Sequence, residues 1–266
     1  MIKAALGMLS ATALAIAITP TAVKADGLTD LNQALSNLKG QTPIRATLES
    51  SHSQNRDRDD DQKTTTGYIA LNLADGEPGL QITYGPEMLA KLEHEEILTD
   101  EDEEADTPTF NAMNRLATTE LNRMLSAAPS LSRFINKAEF VEETATQYQQ
   151  QDARRLIFDL PLESIVDSAE VRDYVDDFEG KYTLILNAQG VPQQSILTFS
   201  GSGSAFVIFS VEMEQTNTIT YRQHGDRLVV VKEETQRSSS STFADTESTE
   251  IKQLTIVSPD HLAKVN

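Results

Sequence analysis

The clearest pattern in this sequence is the recurrence of apolar residues at every second position in its C-terminal part. Tyr182, Leu184 and Leu186 show this spacing, which is typical of a β-strand with one buried face. Further strand-like segments follow at roughly ten-residue intervals, separated by turn sequences such as His224-Gly225-Asp226. They cover residues 195–200, 206–213, 218–222, 228–234 and 250–257. Short strands joined by turns predict an antiparallel sheet.

The N-terminal part mixes helical and strand-like spacing. Apolar residues at helical spacing predict a helix over 28–39 and a longer helical stretch over 107–136. Residues 52–66 are polar and predict either a long loop or the solvated tip of a hairpin, and 162–178 predict one or two short helices. Strands are predicted over 44–51, 67–73, 80–84, 138–146 and 154–160.

Together these elements predict a mainly β protein of the α+β class, with about eleven strands. So many strands do not form one flat layer, and the sheet must curl, close or fold over. The predicted architecture is therefore a large curved antiparallel sheet or half-open barrel that is covered by a few helices.

The N-terminus has the three parts of a secretory signal. Lys3 precedes an apolar run from Ala4 to Ile18, and Val23-Lys24-Ala25 offers small residues where a signal peptidase cleaves. The run is shorter than the about 20 apolar residues that span a bilayer, which argues against an uncleaved membrane anchor. Residues 1–25 are therefore predicted to be a signal peptide, and 26–266 a single β-rich domain that is periplasmic or secreted. No transmembrane segment is expected after cleavage.

Acidic residues dominate the charge of the chain. It carries 41 Asp and Glu against 22 Lys and Arg, a net charge of −19. This excess repels phosphate backbones, so we expect no nucleic acid as a partner. The densest acidic stretch, 93–106, is predicted to be a loop because like charges at this density oppose folding.

No arrangement of residues points to catalysis. His52, His94, His224 and His261 lie far apart and form no metal-binding spacing. Gly201-Ser202-Gly203-Ser204 lacks the G-x-S-x-G pattern and is typical of a flexible link between strands. Cysteine is absent, which excludes thiol nucleophiles and disulfides. We therefore predict no catalytic residue and no cofactor.

One acidic cluster has the spacing of a cation site. Asp57, Asp59 and Asp61 place carboxylates at alternate positions, as at the start of a calcium-binding loop. Beyond them the sequence departs from that pattern, because Gln62 stands where the loop needs Gly and Tyr68 where it needs a bidentate Glu. These three Asp residues are candidate metal ligands, and the alternative is a solvated charged turn.

Several C-terminal strands are apolar on both faces, so both faces must be covered. With helices packed over the sheet, one side forms the core. The other side either is filled completely by the helices or faces a cavity of lipid size. The candidate ligand-binding residues of such a cavity are Phe199, Phe206, Ile208, Phe209, Val229 and Val231.

The order of the predicted elements follows a known arrangement. It runs from a helix with Leu31, Leu35 and Leu38 to a strand over 44–51, and then through a strand that ends at Tyr84 to a curved sheet. This order resembles that of the periplasmic lipoprotein carriers of the LolA type and the related lipoprotein-like domain of RseB, across most of the mature chain. The resemblance implies a half-open barrel, lidded by helices, that holds acyl chains. The greater length and the acidic stretch depart from a simple carrier.

The leading functional hypothesis is a non-enzymatic exported protein that binds an apolar ligand, such as a lipid or a lipoprotein acyl chain. Its expected partner is a lipid or a lipidated protein. Two alternatives stay open: an envelope interaction or scaffold protein with a solid core and no ligand, and a hydrolase whose residues are too dispersed to recognise in the sequence.

Overall fold

The computed structural model describes residues 26–58, 61–103, 105–205 and 209–257, without the side chains of residues 61, 205 and 209. The predicted signal peptide, residues 1–25, lies outside the described residues. Within the described ranges no helix is long and apolar enough to span a membrane.

The described residues form ten strands and six α-helices. The strands are β1 (Ile44–Arg58), β2 (Asp61–Asp75), β3 (Gln81–Tyr84), β4 (Glu139–Tyr148), β5 (Gln151–Asp159), β6 (Val175–Leu186), β7 (Pro192–Ala205), β8 (Phe209–His224), β9 (Arg227–Ser241) and β10 (Asp245–Ile256). The helices are α1 (Gly27–Asn37), α2 (Pro86–Glu101), α3 (Pro108–Met113), α4 (Thr118–Leu125), α5 (Ala128–Ile135) and α6 (Ala169–Arg172), and a short 3-10 helix spans Leu162–Ser164.

All ten strands belong to one curved antiparallel sheet, in the order β3-β2-β1-β10-β9-β8-β7-β6-β5-β4. The chain builds it from two runs of consecutive strands, β1 to β3 and β4 to β10. The two runs are joined where β1 pairs with β10, from Ala46↔Ile256 to Asp57↔Asp245. The sheet is not closed, because β3 and β4 form its two edges. The prediction of a mainly β protein with a large curved antiparallel sheet is confirmed.

Helices α1, α4 and α5 pack on one face of the sheet, which we call the helix-covered face. Asp26 caps α1 through bonds from the backbone N–H groups of Leu28 and Thr29, and the helix buries Leu31 and Leu35. The partners of the helices include a row of leucines in register on neighbouring strands. These are Leu254 on β10, Leu48 on β1 and Leu71 on β2. The main core therefore lies between these helices and the sheet.

The start of β9 is buried on both faces. The pairing of β9 with β10 ends at Lys232↔Gln253, and beyond it the N–H of Ala127 donates to the carbonyl of Leu228 at 2.7 Å. Leu228, Val229 and Val230 are all fully buried in the main core. Both faces of this part of β9 are therefore covered by the protein's own side chains.

The β8–β9 turn is held against the segment before β1. The Asp226 carboxylate accepts bonds from the backbone N–H groups of Gln41 and Thr42, at 3.0 and 2.7 Å. Hydrogen bonds from Thr42 and Gln41 lower the pKa of Asp226 to about 2. The buried Arg227 forms an ion pair with Asp75 at 2.7 Å, which ties the same turn to β2.

Gly201-Ser202-Gly203-Ser204 is part of β7, so the prediction of a flexible link is wrong. All four residues pair with β8, from Gly201↔Met213 to Ser204↔Ser210. The glycines serve a close approach of the chain, because a Cβ built on Gly203 would lie 2.5 Å from the carbonyl oxygen of Tyr174. For the polar segment 52–66 the hairpin alternative is the closer one, because residues 52–58 and 61–66 belong to the two paired strands of the β1–β2 hairpin.

The acidic stretch 93–106 is also not the predicted loop, because α2 continues through it to Glu101. The helix is held by Glu95, whose side chain is buried. Its carboxylate accepts bonds from the backbone N–H groups of Thr109 and Phe110 at 2.8 and 2.9 Å, at the start of α3. These N–H groups have no partner inside α3, and the positive end of the helix dipole favours the charge. The carboxylate of Glu95 thus caps the start of α3 and holds α2 against it.

We expect Glu95→Gln to lower the free energy of unfolding by about 1–3 kcal/mol, because one of the two N–H groups then faces an amide donor. Glu96→Gln is the matched control, since Glu96 is the exposed neighbour on the same helix. Urea unfolding of the two variants measures the difference. Equal stability of both variants would contradict the capping role.

Candidate functional site

Two pockets remain on the helix-covered face where the helices do not fill it. The first, which we call the apolar pocket, has a volume of about 220 Å³. It lies between the segment 162–174, which we call the covering segment, and a floor formed by β6, β7 and β8. Nearly all of its lining is apolar. The side chains that define it are Leu162, Ile165, Val166, Val171, Tyr174, Val175, Phe178, Phe199, Val211 and Met213.

The floor of the apolar pocket is shaped by glycines on β7. Gly201 and Gly203 stand opposite Met213 and Val211 of β8, and no side chain rises from either glycine. Phe199 continues the same face of β7, and its ring lies 6.3 Å from that of Phe178. The two glycines that follow Phe199 on this face therefore leave an apolar depression beside the covering segment.

The covering segment contacts the rest of the protein through the half-buried Ile165 and two hydrogen bonds, from the Ser204 N–H to the Tyr174 carbonyl and from the Ser164 hydroxyl to the Lys137 carbonyl. Neither its 3-10 helix nor α6 contains a buried residue, and Val171 and Tyr174 are 52% and 53% exposed. Local bonds hold its shape, because the Arg172 guanidinium donates to the carbonyls of Val166 and Asp167 at 2.7 and 2.8 Å. The apolar pocket thus has exposed apolar side chains at its mouth.

The second pocket, which we call the amphipathic pocket, has a volume of about 280 Å³ and lies between α4–α5 and strands β6 to β9. Apolar side chains make up one part of its lining and a polar cluster the other. The apolar part contains Ala127, Leu131, Phe134, Leu197 and Ile219. The polar part contains Arg123, Asn217 and Glu233, with Tyr182 and Tyr221 between the two parts.

The polar part is held by ion pairs under α4. Arg123 donates to Glu233 at 2.7 Å, and Lys252 pairs with Glu120 at 2.6 Å and with Glu250 at 2.9 Å. Burial by itself lowers the pKa of Arg123, but Glu233 and Glu120 outweigh it and raise the pKa. The same balance raises the pKa of Lys252, where burial is opposed by Glu120 and Glu250. Both cations therefore stay charged.

The tyrosine hydroxyls of the amphipathic pocket are neutral donors and acceptors. Burial raises the pKa of Tyr182 and of Tyr221, because an apolar surrounding disfavours a phenolate. The Ser195 hydroxyl lies 2.9 Å from that of Tyr221. Since Ser195 is itself buried and its partner is a protonated tyrosine, this contact supplies no base for a nucleophile.

The structure brings one predicted ligand-binding residue, Phe199, into the apolar pocket. Phe206 and Ile208 lie outside the described residues, and for Phe209 only the backbone is described, paired with Ala205. Val229 is buried in the main core and Val231 packs against that core. Neither is among the residues that line the two pockets.

Sequence reasoning missed most of the lining of the apolar pocket. Val211 and Met213 lie in a predicted strand, and Val171 and Tyr174 in a predicted helical segment, but none of the four is among the candidate ligand-binding residues. A signal was present in the alternation of Gly201 and Gly203 with larger residues, since glycine inside a strand marks a close approach of backbone or ligand.

The predicted metal ligands are described only in part. Asp57 is exposed near the end of β1, where it pairs with Gln62 and Asp245. Asp59 and the side chain of Asp61 lie outside the described residues, so their role stays a prediction. Among the residues that are described, no three His, Asp or Glu side chains are grouped so that they could hold a metal ion.

A wider groove of about 490 Å³ lies on the opposite face of the sheet. Polar side chains of β1 and β6 to β10 line it, and they include Thr198, Thr216 and Glu247. Glu179 and Lys181, at its side, are exposed and paired with each other at 2.9 Å. Most of its lining side chains are polar, as on a solvated sheet face.

His52 is buried on the helix-covered face without a hydrogen-bond partner among the described residues for either ring nitrogen. It stands opposite Gly67, where a Cβ would lie 3.0 Å from the carbonyl oxygen of Pro108, so α3 closes over this point. Burial and the nearby Arg115 lower the pKa of His52, and Glu250 opposes them. The imidazole is therefore neutral in the folded protein near neutral pH.

No protein-family model matches the sequence, and no curated protein matches it.

The lowered pKa of His52 predicts a loss of stability in acid. The unfolded chain binds the proton near the ordinary pKa of about 6.5, and the folded protein binds it only at lower pH. The contribution of neutral His52 to the free energy of unfolding is therefore fully present above about pH 6.5. It is lost progressively as the pH falls toward the pKa of His52 in the folded protein. We expect His52→Gln to show a smaller decrease between neutral and mildly acidic pH in urea unfolding.

His94→Gln is the control, because His94 is exposed on α2. It should keep the wild-type dependence on pH. The same pH dependence in the wild type and in His52→Gln would show that His52 titrates normally.

Proposed function

We propose that this protein binds an apolar ligand, the acyl chain of a lipid or of a lipidated protein, on the helix-covered face of its sheet. The observation that carries the proposal is the apolar pocket, whose lining is almost entirely apolar and whose mouth exposes Val171 and Tyr174. Exposed apolar side chains beside an apolar concavity are typical of a ligand-binding site.

The size of the site favours a slender ligand. The apolar pocket, of about 220 Å³, is smaller than the about 300–1,000 Å³ of most small-molecule sites, and the adjacent amphipathic pocket offers about 280 Å³ more to a ligand that reaches both. Each buried methylene contributes about 0.8 kcal/mol. Association costs at least about 4 kcal/mol, which about five buried methylenes offset, and about ten leave a net gain of about 4 kcal/mol. A single acyl chain supplies that many.

The charge and the order of elements agree with a carrier in an envelope compartment. A net charge of −19 keeps a loaded protein away from anionic membrane surfaces. The predicted signal peptide places the protein outside the cytoplasm, and the resemblance to the lipoprotein carriers names acyl chains as the ligand class. Because a carrier binds and releases its ligand without a chemical step, the proposal includes a non-enzymatic role.

The direct experiment is to export the protein, purify it without detergent and extract bound lipid for mass spectrometry. A fluorescent fatty-acyl probe is then titrated against the delipidated protein. We expect co-purifying acyl lipid and saturable uptake of the probe. Clean protein without uptake would leave the scaffold hypothesis, and turnover in esterase or peptidase screens would favour the hydrolase.

A pair of matched variants locates the site. Val171 at the mouth of the apolar pocket is 52% exposed, and Val141 on β4, outside the pocket, is 51% exposed. We expect Val171→Asp to weaken binding of the probe by about tenfold, or about 1.4 kcal/mol, because it places a charge against the chain. Val141→Asp should leave the affinity unchanged. Equal effects of the two substitutions would mean that the probe binds elsewhere.

A further inference from the structure

The amphipathic pocket lies next to the apolar pocket along β7, and the two share no lining residue. Leu197 lines the former and Phe199 the latter, on the same face of the strand. Their Cα atoms are two strand positions, about 7 Å, apart. A chain that lies in the apolar pocket and follows β7 toward α5 would therefore bring its head to the polar part of the amphipathic pocket.

At that polar part, hydrogen-bond donors of Arg123 and an acceptor of Asn217 have no partner among the described residues. Arg123 uses Nη2 for Glu233, while its Nε and Nη1 have no hydrogen-bond acceptor among the described residues. The Asn217 amide donates both hydrogens, to Glu233 at 2.9 Å and Thr235 at 2.8 Å. Its Oδ1 accepts no bond from any residue that the structure describes. The carboxylate of Glu233 only accepts, which fixes this orientation of the amide.

The charges around these groups decide what kind of head fits. Arg123 and Lys252 are balanced by three acids, Glu120, Glu233 and Glu250, which leaves one excess negative charge. A carboxylate or phosphate head would be repelled by that excess negative charge. An ammonium head would place its N–H donors against those of Arg123, and neither group can accept a hydrogen bond. An uncharged head that accepts one bond and donates another suits both spare groups.

We propose that the ligand is an uncharged amphiphile, an acyl chain that ends in an amide, whose carbonyl accepts from Arg123 and whose N–H donates to Asn217 Oδ1. This inference rests on the proposed function. It adds that the head group is selected, and that a free fatty acid is not the preferred ligand of this site.

The test is a competition against the fluorescent probe with three ligands of equal chain length: the primary fatty amide, the free fatty acid and the alkane. The buffer is alkaline enough to ionise the acid. We expect the amide to bind at least tenfold more tightly than the acid. Asn217→Leu should reduce this ratio toward one, because the acceptor is lost. Asn55→Leu, which alters an exposed asparagine on β1, should keep the wild-type ratio.

The outcomes separate the two proposals. If the acid binds as tightly as the amide, the head-group inference is overturned while acyl binding stands. If the amide is preferred to the same degree in Asn217→Leu, the head lies elsewhere, and the inference is again overturned. If none of the three ligands displaces the probe, or the probe does not bind, acyl binding and head-group selection fail together. The wild-type ratio alone decides the inference if the Asn217 variant does not fold.

Discussion

The structure depends on one constraint: the sheet is longer than the helices that cover it. Strands such as β1, β2 and β9 have 15 residues, which is about 50 Å of extended chain. Helices α4 and α5 have eight residues each, about 12 Å. These helices therefore shelter only part of the face. Farther along the strands this face becomes polar, where Arg237 bonds to Gln215 and Arg115 to Gln54. Apolar residues return in two places, under α2 and α3 and under the covering segment.

The boundary between the sheltered and open parts of the face is made of paired charges. The ion pairs of Lys252 with Glu120 and Glu250 lie under α4, at the edge of the apolar core. The ion pair of Arg123 with Glu233 lies beside them. Removing one member of such a pair leaves a buried charge without compensation, which is strongly destabilising. The pairs therefore fix the position of α4 on the sheet, and with it one wall of the amphipathic pocket.

The sequence allowed the sheet to be predicted, because alternation reports which face of a strand is buried. It did not allow the roles of Glu95 or of the glycines on β7 to be predicted. Glu95 looks like one acid among many until its contact with the start of α3 is known, and Gly203 looks like a flexible link until Tyr174 is placed beside it. Both depend on residues that are distant in sequence or in another layer. Val229 lies in the main core, and apolar residues on both faces of a strand do not show in the sequence whether a ligand or the protein itself covers them.

The same shortage of helical cover decides which part of this face is least strongly held. The main core is closed by α1, α4 and α5, which each bury several residues, so opening it would expose leucines that stabilise the fold. The helices of the covering segment bury no residue. Two bonds tie the segment to the rest of the protein, from the Ser204 N–H to the Tyr174 carbonyl and from the Ser164 hydroxyl to the Lys137 carbonyl, both at 3.0 Å. Moving it costs few contacts, and segments with few buried contacts are the ones that open most readily. The apolar pocket therefore lies under the part of the helix-covered face that can open at the least cost to the stability of the sheet.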